Sequence, residues 1–167
     1  GKHMLVQLPP AYSLTTEELD HIYSFPYTRA IHPSYEALGG VPGIEEVRFS
    51  ITHNRGCFGY CNFCSIALHQ GRRITVRSVE SVLAEAERIT KMPDFKGYLS
   101  DLGGPSANMY AMHGKDLNIC HKCKRPSCIH PNESKNSSLT QICALKSARR
   151  LARFLRNPPK ISALKNN

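Results

Sequence analysis

The sequence lacks any apolar run approaching the roughly 20 residues that a membrane-spanning helix needs, so no membrane span is expected. No charged and then apolar leader opens the chain, so a reducing cytoplasm is the natural setting. No internal repeat is found. The first residue is Gly1 rather than Met, which fits a piece of a longer chain or a processed product. Acidic side chains are scarce in one region. Residues 115–167 hold 12 Lys+Arg but only Asp116 and Glu133, a net of +10, whereas residues 1–114 hold 10 Lys+Arg and 11 Asp+Glu, a net of −1. The overall charge of +9 therefore belongs to the last third. Such a block suits an anionic partner such as nucleic acid, or else a solvated face or tail; charge alone does not choose.

What is present is the composition of a globular domain, 41% hydrophobic and 21% charged, at a length sufficient for one sizeable core. Seven cysteines stand at 57, 61, 64, 120, 123, 128 and 143. An odd number, closely spaced and without a leader, fits metal ligation better than a disulfide framework.

Met4 to Leu8 forms a short apolar run before Pro9-Pro10 and is expected as a strand. Thr15 with Glu18 forms a capping box, followed by Leu19, Ile22 and Tyr23 at helical spacing and closed by Pro26. Tyr27 to Gly43, rich in Pro and Gly, is expected as a long loop. The alternation of Val47, Phe49 and Ile51 predicts a strand over 46–51. Ser78 is the expected N-cap of a helix with Val79, Val82, Leu83, Ala86 and Ile89 on one face, stopped by Pro93. Phe95 to Leu99 is expected as a second strand, leading into Asp101-Leu102-Gly103-Gly104-Pro105. Residues 120–128 form a Cys-rich turn, 132–138 a polar loop, and Leu139 to Arg156 a basic amphipathic helix. A strand, loop, helix, strand and Gly-rich loop in that order is a βα repeat, the α/β arrangement that puts working loops at the C-terminal ends of strands.

One such loop carries Arg55-Gly56-Cys57-Phe58-Gly59-Tyr60-Cys61-Asn62-Phe63-Cys64. A cubane iron–sulfur cluster takes four thiolates for full ligation, so three leave one iron open. Gly56 and Gly59 let the backbone fold tightly, and loop amides supply donors to cluster sulfurs. The competing reading is structural zinc, with Cys61-x2-Cys64 and Cys120-x2-Cys123 as a four-thiolate set.

The C-x3-C-x2-C loop, with an aromatic residue just before Cys64, resembles the signature of the radical S-adenosylmethionine (radical SAM) superfamily. The runs Thr15-Thr16-Glu17-Glu18, His32-Pro33-Ser34-Tyr35-Glu36, Gly39-Gly40-Val41-Pro42, His69-Gln70-Gly71-Arg72, Asp94-Phe95-Lys96-Gly97-Tyr98 and Gly103-Gly104-Pro105 narrow the resemblance to the YgiQ-type family, along about residues 5–131. It implies that Cys57, Cys61 and Cys64 hold a [4Fe–4S] cluster, and that S-adenosyl-L-methionine chelates the open iron. The resulting 5′-deoxyadenosyl radical would abstract hydrogen from an unknown substrate. It also implies that Phe63 lies against the adenine, where plain core packing is the other reading, and that the Gly103-Gly104-Pro105 segment contacts the amino group of the cofactor. An electron donor such as flavodoxin or ferredoxin is implied as partner. His69 and Arg72 lie near the loop by sequence, as site residues or as ordinary loop polars.

Cys120-x2-Cys123-x4-Cys128 is a second metal-like group needing a fourth ligand. The family pattern implies a Cys at position 134, where this chain has Ser134; Cys143, His121 and His130 are the other candidates. A six-unit radical SAM barrel should need about three-quarters of the ~250 residues of an eight-unit barrel, more than remain after Glu46. The expectation is thus an α/β fold holding a partial radical SAM (β/α) barrel, incomplete at the C-terminus, in a truncated or excised chain, active or inactive. Residues 1–44 form an N-terminal extension with one short helix, 45–131 the partial core, and 132–167 a basic loop and helix. The alternative is a non-catalytic zinc module that contacts nucleic acid through that helix.

Overall fold

In the computed structural model of the chain, residues 3–8, 12–104 and 109–138 are described. Pro105 and the basic helix expected over 139–156 lie outside them. Met4 to Leu8 forms no strand; Leu5 is 96% exposed, so the run finds no partner surface among the described residues.

Helix α1 spans Thr16–Ser24 and starts as expected, with Glu18 N–H donating to the Thr15 hydroxyl and Thr15 N–H to the Glu18 carboxylate. Its one fully buried side chain is Leu19. The stretch expected as a loop contains a 3-10 helix, Pro33–Leu38, begun by proline and closed by Gly39 in the left-handed region.

The strand expected over 46–51 is shifted. Ile44–Val47 instead forms a short helix, α2, with Glu45 and Glu46 in its first turn, where helix N-termini favour carboxylates. Strand β1 is Ser50–Thr52 and β2 is Asn54–Arg55. A short helix α3, Ile66–His69, and strand β3, Thr75–Val76, follow the cysteine loop. Helix α4, Val79–Thr90, is capped by Ser78, whose hydroxyl accepts from Ser81 N–H. The strand expected over 95–99 falls later, as β4 at Asp101–Gly103. Gly97, at φ +92°, breaks the pleat that the apolar residues suggested. Strand β5 (His113–Gly114), helix α5 (Leu117–Lys122) and strand β6 (Ser137–Ser138) complete the described chain.

Among the described residues, three two-stranded sheets result. β1 and β4 are parallel, with Ile51 opposite Leu102. α4 lies on the connection between them, so the unit is βαβ. β2 pairs antiparallel with β3, and β5 with β6. The fold is therefore mixed α/β with small sheets. Phe49, Ile51, Val82, Ala86 and Ile89 are buried together, and Leu83, Met92, Phe95, Leu99 and Leu102 pack around them. Phe95 meets Phe49 edge to face at 5.5 Å. It thus fills the core from an irregular segment rather than from a strand.

An ionic knot ties the N-terminal part to this unit. Glu85, 5% exposed, accepts from both Arg77 and Arg29. Arg77, 1% exposed, also donates to the Thr52 carbonyl at 2.9 Å and stacks over the Tyr23 ring at 4.1 Å. Asp20 accepts from Ser78 N–H at 3.0 Å. Nothing in the apolar periodicity pointed to this knot. Among the described residues no helix is long and apolar enough to cross a membrane.

Candidate metal and cofactor site

The cysteine loop leaves β2 at its C-terminal end. Gly56 has φ +88°, and any Cβ there would collide with the Arg73 carbonyl, so only glycine allows the turn. Its N–H donates to the Gln70 side chain at 3.2 Å, and Cys57 N–H donates to the Gly71 carbonyl at 3.0 Å. The loop is thereby pinned to the turn that follows α3. Cys57 is buried with Met109 and Met112, against Phe58, Ile66 and Ile74. The two methionines were not expected from the sequence, since they follow the Gly-rich loop in a stretch with no clear period.

Cys61 is exposed and Cys64 half-buried. Gly59 sits between two sulfurs: a Cβ on it would come within 3.4 Å of Cys57 Sγ and 3.7 Å of Cys61 Sγ. Its N–H donates to Cys57 Sγ at 3.4 Å, an amide-to-sulfur bond of the kind that tunes clusters. Cys64 N–H donates to the Cys61 carbonyl at 3.0 Å. Among the described residues no group of three His, Cys, Asp or Glu side chains is drawn tightly enough around one point to enclose an ion. None of the six described cysteines is disulfide-bonded.

Phe63 is 92% exposed, so core packing does not explain it; its ring stands open at the loop rim. Gly103 lies opposite Thr52 of β1, and Gly104 lies beside Asn54 of β2. The Gly103 carbonyl accepts from His53 N–H at 2.9 Å. A Cβ on Gly104 would run into the Asn54 side chain, 2.5 Å from Nδ2. Asn54 is 1% exposed; its amide sits beside the His53 ring, but neither end makes a hydrogen bond of good geometry. Sequence reasoning passed over it, because an Asn beside a strand reads as a turn residue. A cavity of about 180 Å³ adjoins, lined by Thr52, Arg55, Gln70, Asp101, Gly103 and Gly104. It lies beside the cysteine loop, sharing Gln70 with it.

Next to this cavity, burial lowers the His53 imidazole below its ordinary value. The Asn54 amide and the Asp101 carboxylate pull it back, and the Arg77 guanidinium pushes it further down. His69 is exposed at the end of α3. Arg72 donates to the Arg125 carbonyl, so its visible part is to hold another loop. That loop carries Cys120, Cys123 and Cys128, and is joined to the first by Cys128 N–H donating to the Phe58 carbonyl at 3.2 Å. Burial, then Cys123, then Cys120, pushes the Cys128 thiol up. His121 and His130 are exposed, and Cys143 lies outside the described residues.

The family model described as Radical SAM N-terminal matches residues 1–50. A UPF0313 protein of Bacteroides thetaiotaomicron is 54% identical over 133 residues, covering 80% of this chain and 21% of that protein. One of Porphyromonas gingivalis is 48% identical over 151 residues, 90% of this chain and 24% of the relative. One of Methanocella arvoryzae is 44% identical over 165 residues, 99% of this chain and 26% of the relative. No solved structure matches. The chain spans about a fifth to a quarter of the length of the curated relatives it matches. With this identity sustained along most of its residues, the chain belongs to the YgiQ-type (UPF0313) family of radical SAM proteins.

Proposed function

We propose that this chain is the cofactor-binding part of a radical SAM protein, with Cys57, Cys61 and Cys64 as the ligands of a [4Fe–4S] cluster and S-adenosyl-L-methionine as the second cofactor. The observation that carries the reading is the three-thiol loop, which leaves β2 just beyond the parallel β1–β4 pair and lies beside a small polar cavity. The residues fit the group. Thiolates are the soft donors that iron–sulfur clusters take, and three of them leave an iron open. The Gly59 N–H already points at one sulfur. When bound, the cluster and the nucleoside supply reductive cleavage to a 5′-deoxyadenosyl radical, which is the cofactors' chemistry rather than the protein's.

The protein's share is binding and orientation. The cavity is too small for a whole nucleoside, given that small-molecule pockets run to about 300–1,000 Å³, but suits one end of it. Arg55 and Asp101 bring opposite charges to its walls, which match the carboxylate and ammonium of an amino-acid moiety. The buried Asn54 amide beneath Gly104, which makes no hydrogen bond of good geometry, offers a donor and an acceptor at the same edge. Gly103 and Gly104 line that end of the cavity, and with Pro105 they are the segment proposed to contact the amino group of the cofactor, while the exposed Phe63 ring is free to meet the adenine. We assign 45–131 as part of a radical SAM (β/α) barrel, with 1–44 as an N-terminal extension and 132–167 as a basic loop and helix. A flavodoxin- or ferredoxin-like donor would supply electrons in the cytoplasm, and the substrate is a molecule able to lose a hydrogen atom.

Anaerobic reconstitution with iron and sulfide tests this. The expected product holds about four irons and four sulfides per chain. Its electron paramagnetic resonance should shift on addition of S-adenosyl-L-methionine. Each of Cys57→Ala, Cys61→Ala and Cys64→Ala should abolish both. A colourless protein that takes only zinc, or a cluster indifferent to the nucleoside, sinks the proposal.

A further inference from the structure

A second set of thiols closes a loop that has almost no core of its own. In residues 117–136 Leu117, Ile119 and Ile129 are 45%, 53% and 44% exposed, and the buried side chain is Ser127. Apolar burial therefore does not explain why this loop holds its shape. Its cysteines are placed by hydrogen bonds instead. Cys120 and Cys123 straddle the end of α5, where Cys123 N–H donates to the Cys120 carbonyl at 3.2 Å. The chain returns past both Cys120 and Cys128. Ser134 N–H donates to the Cys128 carbonyl at 2.7 Å, and Asn136 Nδ2 donates to Cys120 Sγ at 3.3 Å. Asn136 N–H donates to the Ser134 hydroxyl at 3.3 Å, so residues 134–136 form a bridge from Cys128 to Cys120. Asn136 is itself fixed to Asp116 by two hydrogen bonds of 2.9 Å. The Cys120 sulfur also lies so near Gly114 that any Cβ there would collide with it.

Two cations face this loop. Arg72 donates to the Arg125 carbonyl, and Arg125 to the Asn132 carbonyl. Three thiolates on a divalent ion carry one net negative charge, which these guanidiniums would balance.

We propose that Cys120, Cys123 and Cys128 bind one zinc ion, with water in the fourth corner; the three sulfurs are not gathered around one point in this structure, so the ion itself has to bring them together. Zinc favours four-coordinate thiolate-rich sites, and structural zinc supplies folding energy to modules that cannot build a core. Binding draws the three sulfurs together and releases their thiol protons to solvent, without any oxidant or reductant. The site is separate from the radical SAM reading and stands whether or not that reading does. Its effect reaches the first loop, because Cys128 N–H and the Ser127 hydroxyl both donate to the Phe58 carbonyl.

The test uses the full chain with Cys57, Cys61 and Cys64 all changed to Ala, so that zinc has no place in the first loop. Zinc titration against a chromophoric chelator should give one equivalent bound. Cys123→Ser or Cys128→Ser in that background should weaken it at least a hundredfold, while Ser134→Cys should tighten it and Cys143→Ser leave it unchanged. In the unaltered chain, zinc should slow alkylation of Cys120, Cys123 and Cys128 together, read by mass spectrometry; this needs no variant to fold. No binding in the triple variant, or equal alkylation with and without zinc, overturns the proposal. So does uptake of iron and sulfide by these three cysteines in place of zinc. Loss of zinc in Cys143→Ser would overturn water as the fourth ligand.

Discussion

Gly56 is the residue at which the cysteine loop is least forgiving. Its left-handed backbone and the Arg73 carbonyl against the absent Cβ act together. Gly56→Ala should cost at least about 2 kcal/mol, since strain and collision add. Urea denaturation measures it, and a cost near zero would mean the turn is not held as described. His53 sets a second expectation. Its folded form binds a proton less readily than the unfolded chain, whose value is near 6.5. The neutral ring therefore contributes stability above that pH, and the contribution drains away as pH falls through the depressed value. The urea midpoint should drop between pH 7.5 and pH 5.5, and His53→Gln should flatten that drop. Neither effect was legible in the sequence. A glycine beside a cysteine suggests a tight turn but not which carbonyl it abuts, and a lone histidine after a strand does not announce its burial.

Among elements, α4 was the most readable. Its N-cap and its apolar face are local properties, and Val82, Ala86 and Ile89 are buried as the spacing implies. Ile89→Ala should cost about 2–5 kcal/mol, by lost transfer energy and the cavity left behind; thermal and urea unfolding should agree on it. The two strands were misplaced for one reason. Apolar alternation marks which side chains enter the core, not whether their backbone is paired. Phe95 and Leu99 enter it from an irregular segment, and Val47 leaves it on a helix, 57% exposed. The Arg29–Glu85–Arg77 knot was invisible because Arg29 lies 56 residues from Glu85, and Arg77, eight residues from Glu85, stands outside helix α4 and so off its periodic face. Glu85→Gln leaves two largely buried guanidiniums without their carboxylate and should cost about 3 kcal/mol. Limited proteolysis should then cut more readily between α1 and α2; unchanged resistance would show that other contacts hold the N-terminal part.

At the scale of the whole molecule, charge and connection matter more than packing. The excess of +9, concentrated after residue 114, should give weak association with polyanions that fades as salt rises. Retention on heparin that ignores ionic strength would rule out that simple origin. The cysteine set proposed for the candidate site comes from the sequence itself, because ligand spacing is written in nearly consecutive residues. The surroundings of that set were not legible there, because Asn54, Met109, Met112 and the second cysteine loop reach it only through the fold. A single oxygen, the Phe58 carbonyl, joins the two cysteine loops by taking donors from both Ser127 and Cys128. Oxidative damage to either group of sulfurs is therefore felt mechanically by its neighbour, and the pair is set to fail as one unit.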